Sequence, residues 1–106
     1  MDYIKSIEAW SIIRGLDKSN SDKQLIKLEE ELGELAEAHN KEWPDKIKDS
    51  LGYMFVTMAI YAQQNGFSLS DCIAPAYSAI KDHEGKMADG MFVKTSDLER
   101  MNNNEI

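Results

Sequence analysis

The chain has 106 residues, 42% of them hydrophobic, and a net charge of −7 from 19 acidic and 12 basic side chains. That length specifies one domain, and the acidic balance excludes sequence-independent grip on nucleic acid, which needs clustered lysine and arginine. A single cysteine, Cys72, excludes an internal disulfide and fits a reducing compartment.

Ile4, Ile7, Trp10, Ile12, Ile13 and Leu16 fall at mostly helical spacing and predict a first helix over residues 3–16, closed by the polar stretch Asp17-Lys18-Ser19-Asn20. Ser21 begins a second helix, with Gln24 as its capping-box partner. Leu25, Leu28, Leu32, Leu35 and Ala36 form the apolar stripe of that helix, which runs to about Lys41. Trp43-Pro44 breaks it, because the residue before proline avoids the helical region. A third helix starts at Pro44 and is apolar nearly all round from Ile47 to Ala62, the pattern of a central helix covered on most sides. Gly66 stops it. Ser70 caps a fourth helix through Ile73, Ala76, Tyr77 and Ile80, with Pro75 just beyond its first turn. Gly85 and Asp89-Gly90 mark turns, and Met91-Phe92-Val93 reads as a short extended segment.

The expected fold is therefore all-α, a four-helix bundle-like domain over residues 1–94 with a short extended segment near its end. Residues 95–106 form a tail, either a short helix capped at Ser96 or a loosely ordered segment ending in Asn102-Asn103-Asn104. No basic-then-apolar leader opens the sequence and no apolar run approaches the ~18 residues of a spanning helix, so a soluble, cytoplasmic protein without membrane contact is expected. A domain this small gains from oligomerisation.

Glu29, Glu30, Glu31, Glu34 and Glu37 put five carboxylates into nine residues of the second helix. At about 100° per residue, Glu30, Glu34 and Glu37 share a narrow face, while Glu31 is turned about 60° from Glu34 toward the apolar stripe. Like charges four apart cost a helix roughly 0.2–0.5 kcal/mol per pair. A solvated helix absorbs that, so spacing alone reads as an exposed acidic face at least as readily as a site. Gly33, between Glu31 and Glu34, would admit a close neighbour or ligand. Asp45 and Asp49 suit the N-terminus of the third helix, and an antiparallel packing would bring Asp49 near Glu31 and Glu34. Mg²⁺ takes an octahedron of oxygens from a few carboxylates, phosphates and water, and Glu30 could deprotonate an attacking water.

The segment KLEEELGELAEA (27–38) resembles the first metal-binding helix of the MazG-like nucleotide pyrophosphohydrolases. KDSLGYMFVTMAIYAQQNG (48–66) and AYSAIKDHEGKMADGMFVK (76–94) resemble the rest of the short, phage-type members, so the similarity covers most of residues 25–94. The resemblance implies an all-α fold assembling as homodimers or homotetramers. It also implies Mg²⁺-dependent (or Mn²⁺-dependent) cleavage of free nucleoside triphosphates to monophosphate and pyrophosphate. The EExxE motif of that family falls on Glu30, Glu31 and Glu34, with Glu31 and Glu34 as metal ligands; Asp49, next to the family's second motif, is the nearby carboxylate left to complete the set, and Glu30 is the candidate base. Its phosphate-binding basic residues fall on Lys81 and Lys86.

At two places the sequence departs from the family pattern. Ser50 and Tyr53 stand where the family carries its ExxD motif, and Ser78 stands where an asparagine often contacts substrate. A phenol, protonated below a pKa of about 10, is a poor Mg²⁺ ligand. The alternative expectation is a catalytically weakened or silent helical module that binds nucleotide or a protein partner. Trp10 and Trp43 are candidates for packing or for stacking on a base. His39 and His83 have no partner at metal-ligand spacing.

Overall fold

The structure is a computed structural model that describes residues 1–104, with side chains through residue 100. Helices α1 (Tyr3–Ile13), α2 (Ser21–Asn40), α3 (Pro44–Gln64) and α4 (Leu69–Lys81) are followed by strands β1 (Gly85–Ala88) and β2 (Met91–Lys94) and by helix α5 (Thr95–Asn104). A 3-10 turn at Leu16–Lys18 follows α1. The fold class is all-α, as the periodicities predict. The chain divides into two compact units, Met1–Cys72 and a second that begins at Ile73.

In the first unit, α3 packs against both α2 and α1. The α2/α3 hairpin is closed by a Schellman turn in which Trp43 N–H donates to the Ala38 carbonyl (2.9 Å) and Glu42 N–H to the His39 carbonyl (3.2 Å). Glu42 takes the left-handed position, φ 57°, that usually belongs to glycine. Pro44, at the first turn of α3, needs no N–H partner there. At the far end, Gly66 (φ 88°) closes α3 with the same motif, Phe67 N–H reaching the Ala62 carbonyl (3.2 Å).

Two caps differ from expectation. Asn20 caps α2, its Oδ1 accepting from Asp22 N–H at 2.8 Å, because Ser21 already lies in the helix. Gln24 is then free to reach across the hairpin, where its Nε2 donates to the Thr57 carbonyl (3.2 Å). Ser68, not Ser70, caps α4. Its Oγ accepts from Ser70 N–H (3.3 Å), and Asp71 Oδ2 accepts from Ser68 N–H (3.2 Å), a reciprocal pair.

The buried face of α2 also differs from the apolar stripe. Ser21, Gln24, Leu28, Glu31, Leu35 and Ala38 are the less exposed positions, a three-four spacing that forms the seam against α3. Leu25, Ile26 and Leu32 remain exposed. On α3, Ser50, Thr57, Ala59, Ile60 and Ala62 are buried, but Leu51 and Tyr53 are not. From Met54 to Gln64 every position of α3 is buried or half-buried, as expected of a covered helix, while its N-terminal part is exposed except at Ile47 and Ser50. Small side chains at Ala38, Ser50 and Thr57 let the hairpin close without large residues between the helices.

In the second unit, β1 and β2 pair antiparallel with Gly85 opposite Lys94 and Ala88 opposite Met91. The extended segment read at Met91-Phe92-Val93 is thus one arm of a hairpin. Asp89 (φ 50°) and Gly90 (φ 77°) supply the paired positive φ values of its tight turn. Gly85 lies inside β1, where an added Cβ would come within 2.9 Å of Lys94 Cα. Residues 95–104 are helical and α5 packs on both strands, while residues 105–106 of the expected tail lie outside the described residues.

Candidate functional site

The bond from Gln24 to Thr57 and the turn joining Ala38 to Trp43 set the register of the antiparallel hairpin. In that register Glu31 is level with Ser50. Both point into the seam: Ser50 is buried and Glu31 is half-buried. One oxygen of Glu31, Oε2, is buried without a hydrogen-bond partner. Burial of the carboxylate, then the charge of Glu34 and a side-chain hydrogen bond shared with it, hold the Glu31 carboxyl above the usual glutamate range; Lys27 opposes this and Glu30 adds to it.

On one edge of the seam, Leu32, Leu35, Ala36, His39, Ile47 and Leu51 line an apolar groove. Leu32 follows Glu31 and Leu51 follows Ser50, so the residues preceding each, Glu30 and Asp49, belong to the opposite edge. Glu34 lies on that edge too, and Glu30, Glu34 and Asp49 are all exposed. The expected acidic set therefore shares one side of the hairpin. It is not gathered: among the described residues, no three aspartate, glutamate, histidine or cysteine side chains converge as a cation site. Asp49 instead lines a cavity on α3 with Lys48, Gly52, Tyr53 and Val56.

Glu37 is engaged elsewhere. Its Oε1 accepts from Lys41 Nζ at 3.0 Å, an exposed pair on one helix, and this hydrogen bond and charge hold the Glu37 carboxyl below its usual range. Gly33 faces open space, and among the described residues no other element of the chain comes within 4 Å of an added Cβ there. Lys81 lies in the last turn of α4 and Lys86 on β1, both exposed and both in the second unit. Ser78 is exposed on α4. Trp43 is flanked by the ammonium groups of Lys41 and Lys46, 4.8 and 5.7 Å from its ring centre.

For a hard divalent cation the Glu31 and Glu34 pair fits. An unpaired carboxylate oxygen beside a second carboxylate is an excess of negative charge that a cation relieves. Sequence reasoning missed Ser50 and Thr57 as the buried polar residues of α3 across from Glu31 and Gln24 respectively. Their signal was available in the seven-residue step between them, which matches the step from Gln24 to Glu31.

No protein-family model matches the chain, and no solved structure matches it. Over 63 residues it is 52% identical to an uncharacterized 18.2 kDa protein in the rep–hol intergenic region of Haemophilus phage HP1 (strain HP1c1). That similarity covers 58% of this chain and 39% of the phage protein.

Proposed function

We propose that the chain is a Mg²⁺-dependent nucleoside triphosphate pyrophosphohydrolase, converting a free (deoxy)nucleoside triphosphate to its monophosphate and pyrophosphate. The observation that carries this reading is Glu31, a carboxylate held half-buried in a helix seam with one oxygen unpaired and Glu34 beside it. The resemblance of residues 27–38 to the metal-binding helix of MazG-like enzymes agrees with it.

In this reading Glu31 and Glu34 hold the cation, with Asp49 as the carboxylate that α3 offers on the same edge. The cation, when bound, neutralises the triphosphate. Glu30, exposed on that edge, takes a proton from water. The water oxygen attacks the α phosphorus in line, the bond from that phosphorus to the bridging oxygen breaks, and pyrophosphate leaves with the bond electrons. Lys81 and Lys86, which the family resemblance assigns to the phosphates, belong to the second unit. The reading includes a homodimer or homotetramer in the cytoplasm. Among the described residues no helix is long and apolar enough to cross a membrane.

Purified protein incubated with a panel of nucleoside triphosphates, with and without Mg²⁺, tests the proposal directly. Mg²⁺-dependent pyrophosphate release supports it, and no release from any nucleotide sinks it. Ser50 and Tyr53 favour a second reading, a module that binds nucleotide without turnover, since α3 offers neither a glutamate nor an aspartate at those positions. Calorimetric binding without hydrolysis, together with activity gained in Tyr53→Asp, would establish that alternative.

A further inference from the structure

Between α1 and α3 lies a cavity of ≈ 340 Å³ lined by Tyr3, Ser6, Ile7, Trp10, Tyr53 and Val56. Its volume falls within the roughly 300–1,000 Å³ of small-molecule sites. Half of the lining is aromatic and comes from two helices, the arrangement that holds a flat ring by stacking. The Arg14 guanidinium covers Trp10 at 4.1 Å from the ring centre and bonds back to the Trp10 carbonyl (3.2 Å), which holds the indole in place. Tyr53 and Val56 line this slot and also the cavity that contains Asp49, so the two cavities adjoin.

The polar groups of the slot are poorly placed to read a ring edge. Ser6 Oγ already donates to the Asp2 carbonyl at 3.1 Å. Tyr3 and Tyr53 are 67% and 61% exposed, so water competes for both hydroxyls. A site built to hydrogen-bond its ligand rejects a wrong one by about 10⁴–10⁵, whereas an apolar pocket separates similar ligands by only about 10–200-fold.

We propose that the α1/α3 slot holds the base of the nucleotide by stacking and does not read its edge, so that the protein accepts purine and pyrimidine nucleotides with little discrimination. The identity of the ring rests on the nucleotide reading above. Tyr53 then has a task of its own: it is a wall of the ring slot at a place where a metal-binding carboxylate would otherwise stand.

The test uses the full chain carrying Trp43→Phe, so that Trp10 is the one fluorescent indole, titrated with the four uncharged deoxynucleosides without Mg²⁺. Saturable quenching is expected, with dissociation constants within about tenfold of one another. Tyr53→Ala should weaken every one of them by about tenfold, while Tyr53→Phe keeps them, with circular dichroism reporting that both variants fold. No quenching by any nucleoside, or one base favoured more than about 200-fold, overturns the proposal. A Trp10 emission that changes with protein concentration and ignores nucleosides also overturns it, because a second copy then fills the slot. Nucleoside quenching without pyrophosphate release keeps the slot and removes the enzyme. Pyrophosphate release without quenching does the reverse.

Discussion

Glu31 stands at a point where two requirements of the hairpin conflict. Its place in the three-four seam of α2 calls for an apolar or small side chain, yet it brings a carboxylate whose Oε2 finds no partner. Charge at such a place destabilises the empty protein. Glu31→Gln should therefore leave stability equal or higher at neutral pH in urea denaturation. The same variant should lose Mg²⁺-dependent pyrophosphate release by more than the roughly 10–100-fold typical of outer-shell partners of a metal. The pH dependence has a definite sign. The folded carboxyl keeps its proton above the ordinary glutamate pKa of 4.5, so the folded state binds more protons than the unfolded chain in that window. Stability of the metal-free protein should fall as pH rises upward through 4.5, and the cost is fully present above the raised pKa. Subtracting the urea midpoints of Glu31→Gln from those of the parent across pH isolates this contribution; a parallel pair of curves would refute it. The inward turn of Glu31 relative to Glu30 and Glu34 was legible from the 100° step. That Ser50 and not Asp49 would face it was not, because a one-residue change of register exchanges the two.

At the scale of elements, turn chemistry explains both the successes and the slips. Asn20 and Ser21 are equally good N-cap residues by type, so the sequence left the start of α2 ambiguous by one position, and Ser68 and Ser70 leave the start of α4 ambiguous by two. Once Asn20 takes the cap, Gln24 is released to bond Thr57 and pin the hairpin. Asn20→Ala should cost about 1 kcal/mol in a urea melt. Glu42 ends α2 in a left-handed conformation without being glycine. Glu42→Gly should remove a strain of about 1–2 kcal/mol, part of which returns through the greater freedom of glycine in the unfolded chain. A net gain of about 0.5–1 kcal/mol is expected. Gly90 is the opposite case, since its φ of 77° suits glycine, and Gly90→Ala should destabilise the β1/β2 hairpin.

For the whole molecule the notable quantity is apolar surface. Among the described residues the buried hydrophobic ones are Ala38, Ala59, Ile60 and Ala62, mostly small, while Leu25, Ile26, Leu32 and Leu51 on α2 and α3 are each more than 40% exposed. Burial of apolar surface contributes about 25 cal/mol per Å², so the proposed homo-oligomer would gain what the single chain leaves in water. Light scattering at micromolar concentration should give at least twice the monomer mass, and Leu32→Glu combined with Leu51→Lys should shift it toward monomer. A monomeric parent would contradict this assembly.

Four of the five α-helices, their approximate limits and the location of the acidic cluster follow from the amino-acid order, because capping, proline, glycine and hydrophobic period act within a few residues; α5 was left open between a short helix and a loose tail. The extended segment at Met91-Phe92-Val93 and the turn at Asp89-Gly90 were legible for the same reason. Which stripe of α2 is buried, that α3 keeps Leu51 and Tyr53 in solvent, and that Tyr3, Trp10 and Tyr53 meet in one slot depend on contacts between residues as many as fifty positions apart. Local pattern holds no record of those distances; the pairing of helices does.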